Sequence, residues 1–268
     1  MLNIVVTVGN SYINMRCQAS REMDAVGFPR FYCPGGLQQA HVMPLPEQAA
    51  HHAARVLRLQ AGDKVTLFDG QGGEYDATIE RISKTEVTVL VESWLDRECE
   101  SPLRVTLVQA LSSGEKMDFT VQKAVELGVA AIQPVISNRS VVKLAGERAD
   151  KRVQHWQSVV ISACEQCGRN RVAPVNPILP LTTWLAEADH SALRIVFAPD
   201  AALTLHELPL PEAGVTVLAG PEGGFTEAEI AAASTCGFTP VRLGPRVLRT
   251  ETSALAAIAA MQVLWGDF

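Results

Sequence analysis

The strongest constraint on the fold is the alternation of apolar runs and helical stretches in the second half of the chain. Residues 105–111, 132–136, 193–198, 215–219 and 241–244 read as short strands rich in Val, Ile and Leu. Between the first two of these, Met117, Val121, Ala124 and Val125 fall at helical spacing, with Gly128 as a stop. Residues 148–168 carry an apolar stripe of Val153, Trp156, Val160, Cys164 and Cys167, and two more helices are expected over 226–236 and 251–265. A strand that is apolar along its whole length must be buried on both faces. Strand–helix alternation is how a chain covers both faces of a parallel sheet. An α/β domain over residues 105–268 follows.

Upstream the texture differs. Residues 64–70 are strand-like and run into a turn with Gly70, Gly72 and Gly73, after which Tyr75, Ala77 and Ile79 alternate with polar residues. Residues 87–91 form another strand and 49–59 a helical stretch, so residues 28–95 are expected to fold as a small β-barrel. A charged segment with Pro102, residues 96–104, reads as the linker. Residues 1–27 show no sustained period and are expected to be a tail or a start placed too far upstream. The apolar run at positions 1–8 has no preceding Lys or Arg and no small-residue cleavage site after it, which argues against a secretory signal. No span is apolar for the ~20 residues a membrane helix needs. A cytoplasmic protein with free thiols is the resulting expectation for the six cysteines.

Open α/β sheets bind ligands beyond the carboxyl ends of their strands. Two loops leave such ends with unusual content. Gly220, Pro221, Glu222, Gly223 and Gly224 follow the strand 215–219, and Thr226 with Glu229 forms a capping box for the next helix. Such a loop suits either a tight turn or a ligand cradle. It is neither a phosphate P-loop nor a dinucleotide fingerprint, since no Gly-Lys-Ser/Thr and no G-x-G-x-x-G occurs there. The second loop, residues 244–252, carries Arg246 and Arg249 close to any ligand at the strand ends. Thr250 or Thr252 is expected to cap the final helix, and Glu251 suits the positive end of its dipole. That helix is apolar all round from Ala254 to Trp265 except for Gln262, so it needs burial in the core or in a subunit interface. The pair Cys164 and Cys167 lies on the apolar stripe of its helix, which favours packing over metal binding.

The order G-P-E-G-G-F-T-x-x-E and then L-G-P-R-V-L-R-T-E-T-S-A resembles the SPOUT class of methyltransferases. Within it the chain is similar to the bacterial 16S ribosomal RNA (uracil-N3)-methyltransferase family. Matching segments run in order from Pro29-Arg-Phe-Tyr32 through Val56-Leu-Arg58, Gly114-Glu-Lys-Met117 and Gln122-Lys-Ala-Val-Glu-Leu-Gly128 to Ala163-Cys-Glu-Gln-Cys-Gly-Arg-Asn-Arg171. The resemblance covers residue 28 to the C-terminus. It implies a PUA-like barrel followed by an α/β domain threaded into a C-terminal trefoil knot, a homodimer packed through the knot domain, and S-adenosyl-L-methionine as cofactor. It also implies a cofactor site in the loops after three strands. On this chain those are Phe197 and Ala198; Leu218, Ala219, Gly220, Pro221, Glu222, Gly223 and Gly224; and Leu243, Gly244, Val247, Leu248, Arg249, Thr250, Thr252 and Ala254. The alternatives left open are a SPOUT enzyme for another RNA position, such as a ribose 2′-hydroxyl or a guanine, and a non-catalytic RNA-binding ribosome assembly factor.

Methylating uracil N3 requires removal of its proton, which leaves negative charge on O2 and O4. Arg249 or Arg246 is the expected anion stabiliser, Arg30 a base or RNA contact, and Glu251 or Glu222 a proton acceptor. The net charge of −6 argues against RNA binding through overall charge, so a local basic face is needed. Between residues 139 and 171, Arg139, Lys143, Arg148, Lys151, Arg152, Arg169 and Arg171 outnumber Glu147, Asp150 and Glu165. That stripe, with Arg30, Arg55 and Arg58 from the barrel, is the expected RNA surface for 16S ribosomal RNA or the small ribosomal subunit.

Overall fold

A computed structural model describes residues 27–84, 86–142, 144–187 and 193–268. The expected tail lies outside these residues except for Gly27, as does Lys143.

The N-terminal region is built from β1 (Arg30–Tyr32), β2 (His41–Pro44), β3 (Lys64–Phe68), β4 (Glu74–Ile82) and β5 (Val87–Leu95), in the sheet order β1-β3-β4-β5-β2. Only β1 and β3 pair in parallel; the other pairs are antiparallel. The expected barrel is thus a five-stranded sheet around its own core of Phe31, Val65, Leu67, Ala77, Ile79, Val89 and Val91. The alternation of Ala77 and Ile79 with polar residues serves this one-sided burial. The helical stretch is shorter than its pattern promises. It forms α1 (Glu47–His51) and then a π-helical turn over His52–Val56, and Arg58 ends it in the left-handed region at φ 54.

The C-terminal region holds β6 (Val105–Ala110), α2 (Gly114–Glu126), β7 (Val129–Ile136), α3 (Glu147–Cys167), β8 (Leu179–Pro180), α4 (Leu181–Glu187), β9 (Leu193–Phe197), β10 (Leu203–Thr204), β11 (Val215–Ala219), α5 (Glu227–Thr235), β12 (Thr239–Arg242) and α6 (Thr250–Trp265). Its seven strands are parallel throughout, in the order β10-β12-β9-β11-β6-β7-β8. The apolar strands split by residue parity, as a pleat requires. Leu107, Ile195 and Val217 face a core with Met117, Trp156, Val160, Ile258 and Met261. Their neighbours Val108, Val196 and Leu218 face Leu185, Phe225, Ala233 and Phe238 on the other side. Each fully buried side chain of this size contributes about 1.5–3 kcal/mol. The expected strands and long helices are all present. The two-residue strands β8 and β10 and the seven-residue α4 are too short to leave a period in the sequence.

Residues 96–104 have no regular structure, yet they are strapped down at both ends. Arg97 pairs with Glu74, Glu98 accepts from the Gly73 amide at 2.8 Å, and Glu100 pairs with Arg169 at 2.6 Å. Asn170 donates to the Arg97 carbonyl at 2.7 Å and accepts from Arg30 at 2.5 Å. The two sheets therefore meet across a hydrogen-bonded junction.

Helix α6 is buried along one side, through Ala254, Ala257, Ile258 and Met261. Val263 and Leu264 remain 66% and 44% exposed, so within one chain the helix is not covered all round. Its fully buried polar residue has a clear task. Gln262 donates to the Leu127 carbonyl at 2.8 Å and accepts from Ser101 at 2.7 Å, joining the helix to the end of α2 and the linker.

Candidate active site

Strands β12, β9 and β11 are neighbours and run the same way, so the loops after them open on one edge of the sheet. The two chemistry-bearing loops do not follow adjacent strands, because β9 lies between theirs; its own end, at Phe197 and Ala198, completes the wall. The loops surround a cavity of about 150 Å³ that opens to solvent.

Beneath the cavity a buried amide ties the loops together. Gln109, near the end of β6 and 1% exposed, donates from Nε2 to the Ala110 carbonyl at 3.0 Å, to Thr250 Oγ1 at 3.2 Å and to the Gly220 carbonyl at 3.3 Å. Thr250 in turn donates to the same Gly220 carbonyl at 2.5 Å. Thr250 is therefore no helix cap. The N-cap position of α6 is Arg249, without a side-chain cap bond, and Thr252 is exposed. The capping box ahead of α5 does form: Thr226 Oγ1 accepts from the Glu229 amide at 3.2 Å and Glu229 accepts from the Thr226 amide at 2.8 Å.

Three further groups hold the glycine loop. Glu222 accepts from the Ser113 amide at 3.0 Å, at the start of α2, and from Lys116 at 3.4 Å. Burial pushes its carboxyl up, but hydrogen bonds from the Ser113 amide, its own amide and Lys116 outweigh that and leave it below the ordinary carboxylate value. An anchored, ionised carboxylate is a poor proton acceptor. Arg139 donates to the Gly223 carbonyl at 2.9 Å. The Asn138 amide donates to Glu229 at 2.7 Å.

Of the expected cofactor contacts, Phe197, Ala198, Gly220, Pro221, Glu222 and Gly224 line the cavity, as do Leu243, Gly244, Val247, Leu248 and Thr250. Leu218, Ala219 and Ala254 are buried in the core below, and Gly223, Arg249 and Thr252 do not line the wall. Thr250 and Ser253, three apart on one helix face, both point to the cavity, which turns Thr252 away. Pro199, Phe225, Val241, Arg242 and Ser253 line it without having been singled out. Arg246 lines the cavity, and neither Arg246 nor Arg249 forms an ion pair among the described residues. Glu251, in the first turn of α6, has one carboxyl oxygen shielded from solvent without a hydrogen-bond partner among the described residues.

Arg30 requires correction as a catalytic candidate. It pairs with Glu74 at 2.5 Å, donates to Asn170, and lies over the Phe68 ring at 5.1 Å, all in the junction between the sheets. Arg169 requires correction as an RNA contact. It is 4% exposed, paired with Glu100, and donates to the Val125 and Val129 carbonyls at 3.0 and 2.9 Å. The basic stripe is not one patch either. Lys151 and Arg152 lie in the first turns of α3, whereas Arg171 folds back beside Cys164 near its end, about 20 Å away by helical rise, and faces Glu98 at 3.7 Å. Lys151 is exposed and pairs with Glu147 at 2.8 Å, and Arg152 reaches Gly114 at the start of α2. Arg55, in the π-helical turn, and Arg58, just after it, are exposed. The Cys164 thiol is buried against the Arg171 carbonyl, and burial pushes its pKa up to about 12, which fits a packing role.

Comparison with known proteins adds a family to this geometry. Residues 99–262 match the RNA methyltransferase domain, and residues 45–92 match the RNA methyltransferase PUA domain. The chain is 38% identical over 242 residues to ribosomal RNA small subunit methyltransferase E of Buchnera aphidicola, spanning 89% of this chain and 97% of that protein. The Bacillus subtilis protein of the same name is 31% identical, spanning 86% and 95% of the two chains. Among solved structures, ribosomal RNA small subunit methyltransferase E of Neisseria gonorrhoeae bound to S-adenosyl methionine is 45% identical with a TM-score of 0.85, over 90% of this chain and 100% of that one. A Legionella pneumophila methyltransferase in complex with the same cofactor is 40% identical with a TM-score of 0.87, over 91% and 100% of the two chains.

Proposed function

The chain belongs to the RNA methyltransferase family, and on that premise we propose that it transfers a methyl group from S-adenosyl-L-methionine to N3 of one uridine in 16S ribosomal RNA. The observation that carries this reading is the cavity at the ends of β9, β11 and β12. Its donor set fits the cofactor. Phe197, Phe225, Leu243, Val247 and Leu248 offer apolar walls for an adenine ring and an aliphatic methionyl chain. The backbone of Gly220 and Gly244 offers polar groups at close range. When bound, the cofactor supplies a methyl group on a positively charged sulfonium, which needs no metal.

The chain's own side chains then position the base and stabilise its charge. N3 lies on the Watson–Crick edge, so the target base must be unpaired or flipped out. Arg246 on the cavity wall and Arg249 beside it provide guanidinium groups for the negative charge on O2 and O4. Glu251, or water, accepts the N3 proton, since Glu222 is committed to the start of α2. Arg55 and Arg58, with Arg139, Lys151 and Arg152, make up the RNA-facing set. We assign residues 28–95 to RNA binding and 105–268 to catalysis. The insertion of β11 between β9 and β6, with α6 returning to pack on α2, β6 and β11, supports a trefoil-knot threading. The exposed Val263 and Leu264 support a homodimer packed through this domain. A cytoplasmic location fits the substrate.

The test is single-turnover transfer of labelled methyl to 16S ribosomal RNA, followed by nucleoside analysis. The label is expected on uracil N3, and Arg249→Ala and Arg246→Ala are each expected to slow transfer by about 10²-fold with the cofactor still bound. A label on ribose or guanine, or full activity in both variants, refutes the assignment.

A further inference from the structure

Arg139 holds the glycine loop with one edge of its guanidinium and leaves the other edge to solvent. Nη1 donates to the Gly223 carbonyl at 2.9 Å and to the Phe225 carbonyl at 3.4 Å, while Nε and Nη2 have no partner among the described residues. No carboxylate pairs with it among the described residues, so its charge is uncompensated beside the glycine loop. Its stem packs on the loop: a Cβ added to Gly223 would lie 3.3 Å from Arg139 Cβ and 3.4 Å from its Cδ. The turn that presents it is rigid. Ser137 and Ser140 are buried, their hydroxyls lie 3.0 Å apart, and the Ser137 amide donates to Ser140 Oγ at 3.1 Å. The Asn138 amide fastens the same turn to Glu229 of the α5 capping box.

A fixed guanidinium with a free, uncompensated edge is a phosphate receptor. We propose that Arg139 couples the two substrates: its outer edge takes an RNA phosphate while its inner edge orders the Gly220–Gly224 loop, so RNA and cofactor bind cooperatively. The proposal rests on the RNA methyltransferase reading given above. Fixing the guanidinium from outside removes freedom from the loop it holds. The cofactor then meets a loop already ordered, and the effect is reciprocal.

The test measures retention of labelled S-adenosylhomocysteine, which cannot react, with and without protein-free small-subunit ribosomal RNA. The wild-type protein is expected to bind it about five-fold or more tightly when RNA is present. Arg139→Gln keeps the stem as far as Cδ but no charge. It is expected to lose the enhancement, read as the ratio of affinities with and without RNA, whereas Arg139→Lys retains part of it. Inorganic phosphate at matched concentration is expected to give no enhancement. The proposal is overturned if RNA does not tighten wild-type binding, if Arg139→Gln keeps the full enhancement, or if phosphate alone reproduces it. A Gln variant weakened equally with and without RNA also overturns it, since that is loop support alone. Failure of the wild type to bind S-adenosylhomocysteine at all sinks the cofactor reading as well, and is distinct from binding without coupling.

Discussion

Thr250→Val tests whether the loops around the cavity are fixed from below. The two side chains have nearly the same shape, so the substitution removes hydrogen bonds without opening space. It deletes the 2.5 Å bond to the Gly220 carbonyl and the acceptor for Gln109 at 3.2 Å. Both groups are buried, Thr250 at 8% exposed and Gln109 at 1%. Each net hydrogen bond contributes about 0.5–1.5 kcal/mol, so the loss should total about 1–3 kcal/mol. The Gly220 carbonyl keeps only the 3.3 Å contact from Gln109, a long bond that replaces little. For a domain of this size the thermal midpoint should fall by roughly 2–4 °C per kcal/mol. Because Gly220 lines the cavity, the loosened loop must be reordered on binding. We expect S-adenosyl-L-methionine to bind about five- to ten-fold more weakly, which corresponds to about 1 kcal/mol or slightly more. Thermal melts followed by circular dichroism, with cofactor titration by calorimetry below the melting range, give both quantities. Thr250→Ser keeps the hydroxyl and should stay near wild type in both. Wild-type stability and affinity in Thr250→Val, or equal damage in Thr250→Ser, refutes the latch.

Arg169→Met should act through stability and not through RNA. Breaking its pair with Glu100 costs about 3–5 kcal/mol for a buried pair, nearer the lower figure here because the Glu100 side chain is 21% exposed. The urea midpoint should drop accordingly while RNA affinity, measured where the variant is folded, holds; the opposite result returns Arg169 to the RNA surface. Glu165→Gln should stabilise the protein as pH rises. Burial between the helix and the first sheet pushes the Glu165 carboxyl up, against opposing pulls from the Tyr32 amide, His52 and Arg30. A carboxyl with a raised folded pKa gives stability that is complete below the unfolded pKa and lost as pH rises through the folded one. The Gln variant escapes that loss, so its melting advantage should grow as pH rises above the ordinary carboxylate range. An advantage that does not vary with pH refutes this.

The parallel sheet was legible because burial on both faces leaves strands that are apolar at both parities, and β6, β9 and β11 are such strands apart from Thr106, Gln109, Arg194 and Thr216. The order of those strands was not. No local pattern indicates that β9 separates the strands bearing the two loops, since strand order is decided by which crossovers pack. The arginines were the least legible residues. A sequence displays charge but not burial, so Arg169 and Arg30 read as RNA contacts while both are held in the junction by Glu100, Glu74 and Asn170. One cue was present for Gln109: a lone amide inside an apolar strand must find partners when buried, and its partners here include the loops around the cavity.

The glycine loop shows why the motif alone said so little. Gly224 adopts φ +66, which favours glycine for backbone reasons. At Gly220 and Gly223 the constraint is space instead. A Cβ on Gly220 would come within 3.3 Å of Gly224 Cα, and one on Gly223 would press on the Arg139 stem. Glu222 is set by the amide at the start of α2, to which its carboxylate is anchored. Three of the five positions thus answer to neighbours: one within the loop, one at Ser113, one at Arg139. A turn needing only conformational freedom would not need Glu222, or a glycine at 223. The spelling of this loop fits one that is held still from several strands at once. That is what a site needs when its chemistry depends on placing two substrates, and it is why the anchors, more than the loop, are where substitutions should separate cofactor binding from coupling to RNA.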